Sequence, residues 1–113
     1  MEYERLFLSS LILTIVVESI VVLVLARYLY NKRNYADIVI ASIIASTLTL
    51  PYFWFILPNY IHQRLPYVIT GELIIILIEA VIYWRLLKLE PKHALIISFL
   101  ANCTSILVGI LVN

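Results

Sequence analysis

Four long apolar runs, separated by short polar or proline-containing segments, divide this chain. Each run has about the 20 residues that an α-helix needs to cross the hydrocarbon of a bilayer. We therefore predict transmembrane helices at residues 6–26, 38–57, 67–87 and 94–112. Together they indicate an all-α fold, an integral membrane four-helix bundle that forms a single transmembrane domain over residues 1–113.

The composition favours a lipid environment. Of the 113 residues 64% are hydrophobic and only 13% are charged, and a soluble domain of this size cannot bury so much apolar surface. The net charge of +1 offers no electrostatic attraction for nucleic acid. The first run is longer than the apolar core of a signal peptide and follows an acidic leader, so we expect the first helix to be retained.

Basic residues predict the orientation of the helices. They concentrate in two of the connections between runs, the first with Arg27, Lys32 and Arg33 and the third with Arg85, Lys88 and Lys92. By the positive-inside rule we predict a multi-pass protein of the cell membrane, with these two connections in the cytoplasm and both termini outside. Aromatic residues near the ends of the runs, among them Trp54 and Tyr83, are expected to anchor the two interfaces.

The two halves of the chain, about 1–57 and 67–113, align as a repeated helical hairpin. Glu18 falls on Glu79, and after a shortening of the loop the segment 42–49 falls on 98–105. Each half crosses the membrane twice, so the two units point the same way and are related by an axis along the membrane normal. We therefore predict two parallel pseudo-repeated hairpins. The alternative is that four apolar helices align in this register by chance.

Three carboxyl groups, Glu18, Glu72 and Glu79, lie inside the predicted spans. Glu18 and Glu79 fall near the middle of their spans, and Glu72 shares the face of Glu79 about two turns nearer the outside. Ionisable residues at this depth are energetically costly and usually functional. No Lys or Arg lies in the middle third of any span, so we expect Glu18 and Glu79 to hold a proton.

Small and polar residues form a stripe on each of the other two helices. The second helix carries Ser42, Ala45, Ser46 and Thr49, and the fourth carries Ser98, Asn102, Ser105 and Gly109. Such stripes are seams along which membrane helices approach and hydrogen-bond. We predict that each central glutamate faces the stripe of the helix that follows it, or that the two glutamates face each other across the pseudo-axis. The predicted intramembrane polar site, a candidate for proton or cation binding, comprises Glu18, Glu72, Glu79, Asn102, Ser105, Ser46 and Thr49.

Two functions remain open for this polar centre. In the first, neutral glutamates and the stripes hold the helices together in a small non-enzymatic membrane protein, for example a subunit of a larger membrane assembly. In the second, they form a relay in a proton- or cation-coupled small transporter or channel that acts as a homodimer. Glu72 favours the second, because holding one helix in place does not need two carboxyl groups on one face. We adopt the first as the predicted function and keep the second as the alternative.

Signatures of enzymes and cofactor sites are absent from the sequence. It has no zinc-protease, serine-hydrolase or phosphate-binding glycine motif, and two glycines in total. His62 and His93 fall in connections on opposite sides of the predicted membrane, so they cannot share a metal ion. Cys103 has no second cysteine with which to form an intramolecular disulfide. We therefore predict no catalytic residue, no cofactor and no metal site, with the lipid bilayer, a second copy or another membrane protein as partners.

One arrangement of short motifs resembles those of known membrane proteins. Glu79-Ala80-x-x-Tyr83 followed by Ala101-Asn102-x-x-Ser105-x-x-x-Gly109, with a weaker copy that ends Ser46-x-x-Thr49-x-Pro51, is similar to small multi-helix membrane proteins of archaea and bacteria. This resemblance covers most of the chain and implies no particular activity. The chain also resembles the small multidrug resistance transporters in its length, its number of helices and the glutamate in its first helix. This second resemblance serves only as an analogy for the transporter function. Those transporters are richer in glycine and lack paired glutamates in the third helix.

Overall fold

The computed structural model describes residues 2–30, 34–61 and 63–112. These residues are helical apart from short connections and contain no strand. Four long helices, α1 to α4, run over Glu2–Tyr28, Tyr35–Pro51, Arg64–Leu86 and Pro91–Val112. The prediction of an all-helical chain with four long apolar helices is therefore confirmed, and each helix begins a few residues before its predicted span.

Local chemistry explains where the later helices begin. Asn34 caps α2, since its Oδ1 accepts a hydrogen bond from the backbone N–H of Asp37 at 3.2 Å. The carboxyl group of Asp37 lies in the first turn, where the helix dipole favours a negative charge. Pro66 lies in the first turn of α3 and Pro91 begins α4, positions at which a helix needs no backbone N–H donor.

Some residues of the connections differ from the prediction or fall outside the described chain. His93, predicted to lie in a connection, belongs to the first turn of α4, because Pro91 allows this helix to begin early. Its ring stacks on that of Tyr30, with the two centroids 4.3 Å apart. His62 lies outside the described residues, and the same holds for two residues of the basic first connection, Lys32 and Arg33.

The second apolar run changes helix type after Pro51. A π-helical turn over Tyr52–Ile56 and a 3₁₀ turn over Leu57–Asn59 follow α2, and the whole helical segment is Tyr35–Asn59. Within the π turn the backbone N–H of Leu57 donates to the carbonyl of Tyr52, five residues earlier. Short π-helical segments of this kind shift the register of the side chains that follow, frequently at functional sites.

Pro58 explains why two tyrosine side chains contact the π turn. Proline has no backbone N–H. Residue 58 therefore cannot donate to the carbonyl of Trp54, four residues earlier, or to that of Phe53, five residues earlier. Tyrosine hydroxyls donate instead: Tyr67 to the carbonyl of Phe53 at 2.6 Å, and Tyr3 to the carbonyl of Trp54. The irregular turn is thus tied to both α1 and α3.

The four helices pack as a ring in chain order. Each packs on the next and α4 packs back on α1, so α1 lies diagonally opposite α3 and α2 opposite α4. Short connections reverse the chain after every helix, and the overall extents are 40 × 23 × 21 Å. We call the end with both chain termini and the α2–α3 connection the terminal end. The end with the α1–α2 and α3–α4 connections is the hairpin end.

The half of the bundle near the hairpin end is closely packed and mainly apolar. Ala26 of α1, Ile38 of α2 and Ala94 of α4 form a layer with Leu87, the residue directly after α3, and no side chain in it is more than 6% exposed. Buried polar groups lie instead around the middle of the helices, at Glu18, Ser42, Ser46, Thr49, Glu79, Ser98 and Asn102. The bundle therefore has a polar centre, and its hairpin end is apolar.

Large apolar side chains cover the outside of all four helices. Ile12, Leu48, Leu77 and Leu107, one from each helical segment, are 60 to 63% exposed. Each segment is long and apolar enough to cross a membrane, with Tyr35–Asn59 as the second. An exterior of this kind is suited to hydrocarbon rather than to water.

Gly71 is required by a close approach between α3 and the π turn. A Cβ atom at this position would overlap the ring of Phe53 and lie 2.9 Å from a methyl carbon of Leu57. The Phe53 ring cannot easily move aside, because it stacks on Tyr67 with centroids 4.7 Å apart. At Gly109, by contrast, an added Cβ would meet nothing within 4 Å.

We therefore predict opposite results for alanine at the two glycines. Gly71→Ala should destabilise the fold by about 1–3 kcal/mol, because the added methyl group overpacks a fixed contact. Gly109→Ala should leave stability unchanged or raise it slightly, since alanine is the better helix former. Thermal unfolding of both variants in one detergent measures the difference. Equal stability of the two variants would contradict the close packing at Gly71.

A second prediction concerns the carbonyl of Phe53. Tyr67→Phe should cost about 1 kcal/mol in the parent chain, because the carbonyl loses its donor in an apolar environment. In a Pro58→Ala background residue 58 regains a backbone N–H, so the same substitution should cost measurably less. The double-mutant cycle is read from denaturation midpoints. A cost that is identical in both backgrounds would show that Pro58 is not the reason for the tyrosine contact.

Candidate functional site

A cavity of about 190 Å³ lies at the centre of the bundle, between all four helices. It extends from the middle of the helices toward the terminal end. Its polar lining consists of Ser10, Thr14 and Glu18 of α1, Glu72 and Glu79 of α3, and Asn102 and Ser105 of α4. The π turn contributes the aromatic rings of Phe53 and Trp54. All three carboxyl groups of the apolar runs thus face one internal space.

Glu18 reaches the floor of the cavity from α1. Its side chain is 0% exposed, and its Oε2 accepts a hydrogen bond of 2.7 Å from the hydroxyl of Ser46 on α2. Its Oε1 is buried and has no hydrogen-bond donor among the described residues. One oxygen of this carboxyl group is therefore satisfied and the other is not.

Glu79 reaches the same floor from α3 and is 1% exposed. Its Oε1 accepts a hydrogen bond of 2.8 Å from the side-chain amide of Asn102 on α4. The second N–H of that amide group donates to the carbonyl of Ser98, also at 2.8 Å, which fixes the orientation of Asn102. Thr49 of α2 places its hydroxyl 3.1 Å from Oε2 of Glu79 and 2.8 Å from the carbonyl of Ala45. Glu79 is therefore held from two neighbouring helices.

The two carboxyl groups contact each other directly across the centre of the ring. Three of their four oxygens have a hydroxyl or amide donor nearby, and the fourth, Oε1 of Glu18, has none. The helices that carry them have no Lys or Arg between residues 6 and 26 or between 65 and 84. Two ionised carboxylates in contact inside a low-dielectric bundle would repel strongly. We call Glu18 and Glu79 the carboxyl pair.

Glu72 lies between the carboxyl pair and the terminal end. It precedes Glu79 by seven residues, and so lies about 10 Å higher on nearly the same face of α3. Its side chain is partly exposed and lines the cavity. The three carboxyl groups are therefore spaced along the cavity from its upper wall to its floor.

The site places three carboxyl groups, Glu18, Glu72 and Glu79, against one cavity. Carboxyl groups that border a cavity can bind and release protons, whereas carboxyl groups packed among apolar side chains cannot exchange them readily. Residues 2–30, 34–61 and 63–112 contain no group of three or more His, Cys, Asp or Glu side chains placed to hold a metal ion.

The structure brings the sequence-predicted site residues together around this cavity. Ser46 and Thr49 contact the carboxyl pair from α2, Asn102 contacts it from α4, and Ser105 lines the wall above. The pair lies diagonally across the ring, and each glutamate also bonds to the helix that follows it. The two glutamates therefore face each other and each also bonds to the polar stripe of the following helix, so both arrangements considered from the sequence are present.

Two aromatic residues differ from their predicted role as interface anchors. Tyr83 is 0% exposed inside the bundle, and Trp54 lines the cavity. The spacing Glu79-x-x-x-Tyr83 could have indicated the burial of Tyr83, because residues four apart share a helical face. The position of Trp54 depends on the π turn, for which the sequence offered Pro51 and Pro58 as signals.

Comparison with known proteins finds no family model, no curated protein and no solved structure that matches this chain.

Proposed function

We propose that this chain is a non-enzymatic, multi-pass integral membrane protein whose central cavity takes up a proton onto the carboxyl pair. The observation that carries the proposal is the direct contact of Glu18 and Glu79, with one buried oxygen that lacks a donor. A proton shared between the two groups supplies that donor and removes the repulsion of two charges. Glu72, higher on the cavity wall, lies on the route by which the proton arrives.

Membrane insertion rests on the exterior of the four helices. Their length, their mean hydropathy and their exposed Leu and Ile side chains all suit the hydrocarbon of a bilayer. The basic connections then lie in the cytoplasm and the terminal end lies outside. In this orientation the cavity takes up protons from outside the cell.

The repeat gains support from equivalent hydrogen bonds in the two hairpins. Glu18 bonds to Ser46 in the first hairpin, and Glu79 bonds to Asn102 in the second. Residues 46 and 102 are the same two positions that the sequence alignment of the halves pairs. Two parallel hairpins related by a central axis would place these two bonds on opposite sides of that axis.

A second candidate function is a proton- or cation-coupled small transporter that works as a homodimer. The asymmetry of the bundle favours it, because a cavity occupies the terminal half and a closely packed apolar layer closes the hairpin half. A site reached from one side only is what one state of an alternating-access carrier presents. Four helices enclose little space, so a translocation path is expected to need a second copy.

Proton uptake is tested by glutamine substitution of each member of the pair. Glu18→Gln and Glu79→Gln should fold and melt within about 1 kcal/mol of the parent, because a neutral amide replaces a neutral or shared acid. The parent should show an infrared carboxyl band of the pair that disappears as pH rises. The midpoint of this change should move in each variant, because only one carboxyl group of the pair remains. Glu90→Gln, at an exposed position near the hairpin end, is the matched control and should retain the midpoint of the parent.

The same experiment distinguishes a proton-binding role of the carboxyl pair from a purely structural one. A parent chain without a titrating buried carboxyl band would refute proton uptake and leave the pair as a structural contact. If the band is present, proton flux in liposomes then decides whether uptake is coupled to transport. Flux that persists in Glu79→Gln would exclude the pair from the transport path.

Orientation is tested with single cysteines in a Cys103→Ala background. Gln63→Cys, in the α2–α3 connection, should react with a membrane-impermeant maleimide in intact cells, because this connection is predicted to lie outside. Glu90→Cys, in the α3–α4 connection, should react only after the cells are opened. Both positions are exposed, so a difference in labelling reports the side of the membrane. The reverse pattern would overturn the orientation.

A further inference from the structure

The carboxyl pair has two buried polar neighbours that proton uptake alone does not use. Tyr83 lies one turn beyond Glu79 on the same face of α3, toward the hairpin end. Its side chain is 0% exposed, and its hydroxyl has no hydrogen-bond partner among the described residues. Ser42 lies one turn before Ser46 on α2 and is also 0% exposed, with its hydroxyl equally unpartnered. Two orphaned hydroxyl groups therefore lie directly below the pair.

The position of Tyr83 directs its hydroxyl toward the pair. Side chains of a helix lean toward its N-terminus, which for Tyr83 is the direction of Glu79. The hydroxyl lies within electrostatic range of Glu18 and Glu79 and beside Ser42. Neither the Tyr83 hydroxyl nor that of Ser42 has a hydrogen-bond partner among the described residues. The hydroxyl of Ser98, in the same layer, is already engaged, because it donates to the carbonyl of Ile76 at 2.7 Å.

A fully buried hydroxyl without a hydrogen-bond partner needs a physical reason. Phenylalanine would fill the same space without leaving a polar group unsatisfied, and would be the more stable residue here if the hydroxyl never found a partner. Loss of the shared proton creates such a partner. The pair then holds two negative charges and an additional bare oxygen, and a nearby hydroxyl donor is what it lacks.

We propose that Tyr83 is a positioning residue that stabilises the deprotonated carboxyl pair. Its hydroxyl donates to the carboxyl oxygen that loses the shared proton, and the hydroxyl of Ser42 donates in turn to Oη of Tyr83. The proton itself passes to water in the cavity, toward Glu72, and the O–H bond of Tyr83 stays intact. The inference rests on the proposed proton uptake at Glu18 and Glu79.

Few other charged or titratable groups bear on this equilibrium. Glu72 of α3 faces the pair along the cavity wall, and Tyr83 faces it from below. The contacts from α2 and α4 come from neutral side chains, Ser46, Thr49 and Asn102. A shift in the titration of the pair on loss of the Tyr83 hydroxyl would therefore report the hydroxyl itself.

The test is Tyr83→Phe, with Tyr60→Phe as its control because Tyr60 is 79% exposed. A hydrogen bond to a charged group changes an equilibrium by roughly tenfold or more, so the midpoint of the infrared carboxyl titration should rise by about one pH unit or more. Below the midpoint the variant should be as stable as the parent or more stable, since an orphaned hydroxyl is gone. Above it the variant should be less stable. The control should match the parent at both pH values.

The possible results distinguish this inference from the proton uptake on which it rests. An unchanged midpoint in Tyr83→Phe, together with a shifted midpoint in Glu18→Gln, would refute the role of Tyr83 and leave the proposal for the carboxyl pair intact. Equal destabilisation below and above the midpoint would make Tyr83 a packing residue only. Absence of any titration in the parent would overturn both proposals.

A second variant keeps the inference testable should Tyr83→Phe fail to fold. Ser42→Ala removes the donor to Oη of Tyr83 without disturbing a large side chain, and should shift the midpoint in the same direction by a smaller amount. A midpoint in Ser42→Ala that equals that of the parent, in the absence of a folded Tyr83→Phe, would overturn the inference. The same spectra and the same detergent serve for both variants.

Discussion

The rest of this structure depends on the burial of two carboxyl groups against each other at the centre of a four-helix ring. Glu18 and Glu79 come from helices that lie diagonally opposite, and their contact spans the centre of the bundle. Carboxyl groups without partners are too costly to leave in an apolar interior. The intervening helices therefore supply donors, Ser46 from α2 and Asn102 from α4, and all four helices contribute to one polar cluster.

The two ends of the bundle differ because Pro58 and the π turn disturb only one of them. Regular helices continue to the hairpin end and close over an apolar layer. Near the terminal end the π turn directs Phe53 and Trp54 into the cavity wall, and Tyr3 and Tyr67 satisfy the carbonyls that proline leaves without donors. The π turn therefore shapes the cavity, and the hydrogen bonds from Tyr3 and Tyr67 attach this turn to α1 and α3.

The proposed repeat is informative where its two halves differ. In the proposed repeat Ser46 and Asn102 occupy equivalent positions, and each of them bonds to a glutamate. One turn lower, the position of Tyr83 in the second half corresponds to Val22 in the first, and both side chains are fully buried. A polar group on one side only makes the surroundings of the two carboxyl groups unequal, and the proposed role of Tyr83 depends on this asymmetry.

The sequence by itself determined the four long apolar helices and the seven polar positions now found around the cavity, because membrane-length hydrophobic runs and helical spacing depend on local order alone. It left open whether Glu18 faces Ser46 or Glu79, and only the tertiary structure decided that it contacts both. The burial of Tyr83 and the aromatic wall at Trp54 also required the structure. Those features arise from the diagonal placement of α1 and α3 and from the register shift of the π turn. The spacing of Glu79 and Tyr83 and the position of Pro58 are local signals of these features, but the contacts themselves join residues far apart in the chain and are set only by tertiary packing.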